Sequence, residues 1–161
     1  MAECLFCRIV RREAPASVVY EDARCMAIMD LFPMRRGHVL VLSRTHAVHL
    51  HELPEGERVH LFRVATAVMR AQRAAGLPWD GGTLVVNDGP AAGQHVPHVH
   101  VHAVPRTRMD WPRVFGRMLL RIVNGFGPAA DRAALDAQAA RIAAKLPEIA
   151  RDEAEVLSPE S

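Results

Sequence analysis

The sequence has no apolar run approaching the length that crosses a bilayer, so no membrane role is expected. It carries little net charge, +2 with the histidines neutral, and charge alone therefore points to neither nucleic acid nor a lipid surface as a partner. The opening, Met1-Ala2-Glu3-Cys4, soon turns charged and lacks the hydrophobic stretch of a secretory signal, which makes a cytoplasmic location the expectation. Cysteine is scarce: Cys4, Cys7 and Cys25 are an odd set, and in a reducing compartment they argue against a disulfide framework. No internal repeat or low-complexity tract is visible. What remains is 161 residues, 50% hydrophobic and 24% charged, enough for one compact domain with an extension.

Short apolar runs at residues 18–20, 25–29 and 38–42 read as strands, with Glu21 to Arg24 as the first turn and a loop bracketed by Pro33 and Gly37 before the third. Close succession favours an antiparallel meander. Residues 54–75 predict a helix, with Leu61, Phe62, Ala65, Val68 and Met69 on its core face; Gly76 and Pro78 end it. A fourth strand is expected at 82–86 and a fifth at 97–104, joined by the glycine-containing loop from Asn87 to Gln94. Residues 129–146 are alanine-rich and predict another helix, with Leu135, Ala139, Ile142 and Leu146 along a narrow apolar stripe that would dock on the main domain or on a second subunit. The tail at 152–161 is expected to fray.

Four of the nine histidines fall between His95 and His102. On a strand, side chains alternate between faces, so His98, His100 and His102 would line one face while Val99, Val101 and Ala103 pack inward. Imidazoles this close cannot all stay protonated, and at least one should be neutral near pH 7. Such a row suits either a metal-bound water or a histidine that attacks phosphorus, and spacing alone does not choose between them. Asn87, Gly89, Gly93 and Gln94 just upstream offer amides and backbone N–H groups of the kind that cradle phosphate. Cys4 and Cys7, in a C-x2-C spacing, suggest metal or redox use. Cys25 has no partner by spacing and reads as a buried residue. His49, His51 and His60 read as surface or boundary residues without an assigned role.

The segment from Asn87 through Gly93-Gln94-His95-Val96-Pro97-His98-Val99-His100-Val101-His102-Ala103-Val104 to Arg106 resembles the signature of the histidine-triad (HIT) family. Cys4-Leu5-Phe6-Cys7-Arg8-Ile9-Val10, Val19-Tyr20-Glu21-Asp22, Ile28-Met29-Asp30 and Gly37-His38-Val39-Leu40-Val41 are similar to other parts of the family, in the right order, from residue 4 to about 110. The resemblance implies an α+β fold, with an antiparallel sheet of about five strands and a long helix. It implies a HIT domain over 1–110, a C-terminal helical extension over 111–161, and pairing of two chains through a continuous ten-stranded sheet. It further implies a nucleotide hydrolase or nucleotidyl transferase acting at the α-phosphate of purine nucleotide conjugates, either phosphoramidates or dinucleoside polyphosphates.

In this resemblance His100 matches the nucleophile, His102 a phosphate-contacting histidine and His38 another active-site histidine of the Hint branch. Gln94 and the amides near Gly93, with Asn87, would meet phosphate oxygens. Asp30 would hold the ribose hydroxyls, and Leu5, Phe6, Ile9 and Leu31 would line the base pocket. His95 departs from the family, where a serine or threonine usually follows Gly-Gln; its imidazole is a candidate general acid for the leaving group. Bacterial relatives imply a structural zinc on Cys4, Cys7, His46 and His98. Arg106, Arg108 and Arg113, with Trp111 among them, are candidates for contacts to a polyphosphate or a second nucleotide. Two other readings stay open: a nucleotide-binding interaction protein with vestigial catalysis, and a hydrolase whose metal is catalytic.

Overall fold

In the computed structural model of the protein, the structure describes residues 4–112, 114–116, 119 and 129–146. Five strands form one sheet: β1 (Val18–Glu21), β2 (Cys25–Met29), β3 (Val39–Ser43), β4 (Gly81–Val85) and β5 (His100–Arg106). Every neighbouring pair is antiparallel and the order is β1-β2-β3-β5-β4. The helices α1 (Leu5–Val10), α2 (Glu55–Ala74) and α3 (Arg132–Ala143) accompany the sheet. The chain leaves β3, runs through α2 and β4, and returns to insert β5 between β3 and β4, so the histidine strand lies inside the sheet.

Both faces of the sheet are covered, which explains why β2 and β3 are buried along their whole length. On one face Ala27, Met29, Val39, Val41, Val101 and Ala103 pack against Leu61, Ala65 and Val68 of α2 and against Leu135, Ala139 and Ile142 of α3. On the other, Met26, Ile28, Leu40 and Leu42 meet Phe6 and Ile9 of α1. The register sets Leu40 opposite His102 and Leu42 opposite His100, so those two imidazoles stand on the α1 face.

α2 begins with Glu55 and Glu57 in its first turn, where the helix dipole favours anions. Near its end the fully buried Gln72 donates to the carbonyls of Gly37 and Ala103, tying the helix to the loop before β3 and to β5. α3 is capped by Asp131, which accepts from the Ala134 N–H at 2.9 Å. It is fastened by the Ala130 N–H to the Leu31 carbonyl and by the Gly37 N–H to Gln138.

Asp22 closes the β1–β2 turn. It accepts from the Arg24 and Cys25 N–H groups on one oxygen, and from the Tyr20 hydroxyl and His60 Nε2 on the other, at 2.6–2.8 Å. Desolvation pushes its carboxyl up, but these donors outweigh burial and hold it well below the usual carboxylate range. His60 thus has a structural role that its sequence setting did not show: it links α2 to the turn. Burial, followed by Asp22, pushes the Cys25 thiol up to about 12.

Several expectations need correction. Residues 5–10 form a helix that no periodicity announced, because six residues are too few for a readable stripe. β5 starts at His100 rather than at Pro97. His98 sits in a turn, with its N–H bonded to the Val96 carbonyl, and so lies outside the strand alternation expected of it. Phe62 is 39% exposed, because Val64 and Ala71 take the inner face of α2 together with Leu61, Ala65 and Val68. The 152–161 tail lies outside the described residues, as does Arg113.

Candidate active site and metal cluster

The loop before β5 is shaped by its backbone. Gly89 at φ +92° and Gly93 at φ +81° bracket a short 3-10 turn (Pro90–Ala92), conformations that other residues reach only under strain. Gln94 locks this loop from inside. Its Oε1 accepts from the Gly89 N–H at 3.0 Å, and its Nε2 donates to the Val48 carbonyl at 2.8 Å. Its amide is therefore engaged in holding the loop, and Gln94 is not among the residues that line the adjoining cavity. Asn87, Gly93 and His95 do line the adjoining cavity.

That cavity has a volume of about 440 Å³, within the range of small-ligand sites. One arm is apolar, walled by Leu5, Phe6, Ile9, Ala16, Leu31 and Phe32; the other ends at Gly93, His95, His100 and His102. His100 is 5% exposed, and its Nδ1–H donates to the His98 carbonyl at 2.7 Å. In the neutral ring this bond fixes the tautomer and puts the lone pair on Nε2. The edge-on ring of Phe6, with centroids 5.0 Å apart, holds the imidazole plane. His95 is exposed at the cavity mouth.

His102 is backed by a chain of titratable groups. Its Nδ1 lies 3.0 Å from His38 Nε2, and His38 Nδ1 lies 3.0 Å from Asp30 Oδ2. The Met34 N–H also points to His38 Nδ1, at 3.2 Å. Two proton arrangements are available. With Met34 donating, His38 carries its proton on Nε2, bonds to His102 Nδ1 and leaves His102 a donor at Nε2. With His38 donating to Asp30 instead, His102 becomes an acceptor at Nε2. His38 is wholly buried and does not line the cavity; it is joined to the cavity wall through its contact with His102. Asp30 does line it, with Oδ1 accepting from the Phe32 N–H.

Below His100, four side chains converge. Cys4 Sγ and Cys7 Sγ each lie 3.5 Å from His98 Nδ1, Cys7 Sγ lies 3.2 Å from His46 Nδ1, and the two Nδ1 atoms are 3.4 Å apart. Zinc bond lengths in a tetrahedron require S···N distances of about 3.5 Å and N···N of about 3.3 Å. The four ligand atoms all fall within 4.8 Å of one another. His98 Nε2–H donates to the Ser43 carbonyl at 2.8 Å, which turns the Nδ1 lone pair toward the sulfurs. Burial pushes the His98 imidazolium down and favours the neutral, ligating form.

The basic residues after β5 lie elsewhere. Arg106 forks onto the buried Asp110 at 2.9–3.1 Å, stands over the Trp111 ring, and does not line the cavity; neither does the exposed Arg108. A different arginine does: Arg132, from the first turn of α3. Nothing in its local sequence marks it, because Ser17, to which it bonds at the cavity wall, lies 115 residues away in the chain.

The HIT domain profile matches residues 11–109. The chain belongs to the HIT family. An uncharacterised HIT-like protein of Mycobacterium tuberculosis is 41% identical over 118 residues, covering 73% of this chain and 81% of that protein. The crystal structure of a Zn-bound histidine triad family protein from Mycobacterium smegmatis superposes with a TM-score of 0.74 at 32% identity, covering 93% of this chain and 97% of that one. The adenylylsulfatase HINT3 of Arabidopsis thaliana is 35% identical over 114 residues, 67% of this chain but 54% of HINT3. The α+β architecture, an antiparallel five-stranded sheet with helices, is that of these HIT structures.

Proposed function

We propose that this HIT protein cleaves purine nucleotide conjugates at the α-phosphate through a covalent nucleotidyl intermediate on His100. The observation that carries the reading is the His100 Nδ1–H bond to the His98 carbonyl, which in the neutral ring puts the lone pair on Nε2 of a residue lining a nucleotide-sized cavity. In the first step Nε2 forms a bond to the α-phosphorus while the bond from phosphorus to the leaving group breaks. A proton from His95, at the mouth, goes to the departing amine or oxygen. In the second step water attacks the same phosphorus, the N–P bond breaks, and the nucleoside monophosphate is released. His102, with His38 and Asp30 behind it, donates to a phosphate oxygen in one proton arrangement and accepts a proton in the other. Asn87 and the backbone around Gly93 border the phosphate arm; Asp30 and Leu31 adjoin the ribose and base.

Cys4, Cys7, His46 and His98 would hold a structural zinc, a reading supported by the donor spacing and the Ser43 contact. Such an ion would tie the N-terminal segment to the residue whose carbonyl orients His100. The thiolate ligands suit a reducing compartment such as the cytoplasm. No helix among the described residues is long and apolar enough to cross a membrane. A homodimer is proposed on two grounds: β4 is an open sheet edge, and the exposed Val59 and Phe62 on α2 present an apolar surface. No nucleic-acid partner is proposed.

The test is turnover of adenosine and guanosine phosphoramidates and of diadenosine tri- and tetraphosphate by the wild type and by His100→Asn. We expect loss of at least about a thousandfold in kcat for the variant, and a nucleotidyl adduct on residue 100 of the acid-quenched wild type. If both proteins bind nucleoside monophosphate and neither turns any substrate over, the protein is a binding module.

A further inference from the structure

Among the described residues, the apolar arm of the cavity, which would take the base, has one cation in its wall. Arg132 is half-buried there, and its one side-chain hydrogen bond to the described residues is a long one, from Nη1 to Ser17 Oγ at 3.4 Å. No carboxylate among the described residues pairs with it, in contrast to Arg106 and Arg35, which both hold Asp110. Its position does nothing for its own helix, since a cation in the first turn opposes the helix dipole. The segment that carries it is firmly placed by the Ala130–Leu31 backbone bond and by the Asp131 cap.

The sheet order sets how far Arg132 stands from the phosphorus site. Ser17 precedes β1, which lies three strand positions from β5 and His100, a separation of about 14 Å. That is too far for contact with a phosphate held at His100, and it suits the far edge of the base of the same nucleotide. A guanidinium fork offers only donors. Adenine presents an amino donor beside N7, so one arm of the fork would meet another donor. A 6-oxopurine presents O6 and N7 side by side as acceptors, a pattern a fork can bridge with two bonds.

We infer that Arg132, supplied by the C-terminal extension, reads the base and gives the site a preference for 6-oxopurine nucleotides over adenine nucleotides. The inference rests on the proposed chemistry at His100 for the location of the phosphorus. The extension thereby completes the substrate site from outside the segment that matches the family domain.

The experiment pairs calorimetric binding of GMP, IMP and AMP to the full chain with kcat/KM for guanosine and adenosine phosphoramidates, in the wild type and in Arg132→Met. GMP and IMP should bind roughly tenfold more tightly than AMP, and the guanosine-to-adenosine ratio of kcat/KM should follow. In Arg132→Met both ratios should fall to within about twofold of unity. Wild-type AMP binding equal to GMP binding overturns the inference, as does a preference that survives Arg132→Met. Tight GMP with weak IMP also overturns it, because the exocyclic amine would then be the group read. Base preference without turnover would remove the proposed reaction and leave this reading standing. Turnover without preference would do the reverse, and binding of none of the three nucleotides would end both.

Discussion

Removing the proposed zinc tests how the N-terminal segment is held. Cys4 and His98 are 94 residues apart in the chain, and Cys7 and His46 are 39 apart. A bond network joining them acts as a cross-link on the unfolded chain, and closing a loop of the larger size stabilises the native state by up to about 4–5 kcal/mol in the chain-entropy account. In a domain of this length each kcal/mol moves the melting temperature by about 2–4 °C, so chelation should lower it by about 10 °C or more. Cys7→Ser should reproduce most of that loss with zinc present, since a hydroxyl is a poor substitute for a thiolate. The assay is a thermal melt with zinc and with chelator, run beside metal content by mass spectrometry. At 25 °C the chelated protein should remain folded and still turn substrate over, because no ligand of the cluster faces the cavity. A melting temperature unmoved by both chelation and Cys7→Ser would refute the cross-link. Loss of turnover with no change in melting would make the metal catalytic instead.

Three further outcomes follow from the packing. Asp22→Ala removes the acceptor for four donors and should destabilise the fold by about 3 kcal/mol, read from denaturant midpoints. Because the folded carboxyl is held below its unfolded value of about 3.9, the advantage of wild type over Asp22→Asn should be complete above that pH. It should then shrink as pH falls toward the folded value, measured by denaturant titration across the acid range. Phe62→Glu, at an exposed apolar position on α2, should convert the proposed dimer to monomer in sedimentation velocity; a wild type that already runs as a monomer at every concentration would refute the pairing.

Much of the site could be read along the chain because its signals are local. The triplet spacing puts His100 and His102 on one strand face whatever the rest of the chain does, and the C-x2-C pair fits one turn of a short helix. The 3.6-residue period announced α2 and α3, and the short apolar runs announced β2 and β3. The direction of a side chain at a bend was harder to read. Gln94 looks the same in sequence whether its amide faces a phosphate or the underside of its own loop, and only the neighbouring Val48 carbonyl and Gly89 N–H decide it. His98 resembles its two successors, yet a turn takes it off the strand and toward the cysteines.

The sequence by itself determined which chemistries are present: imidazoles at alternating positions, a thiol pair, glycines where the backbone must bend. These follow from spacing over a few residues, which covalent geometry fixes before any folding. Tertiary structure alone decided which groups meet. His38 reaches His102 from 64 residues away, His46 and His98 close the cluster begun by Cys4 and Cys7, and Arg132 arrives at Ser17 from 115 residues away. Such meetings depend on strand order and on which face a helix buries, and those are set by the burial of the whole core, which no local pattern contains.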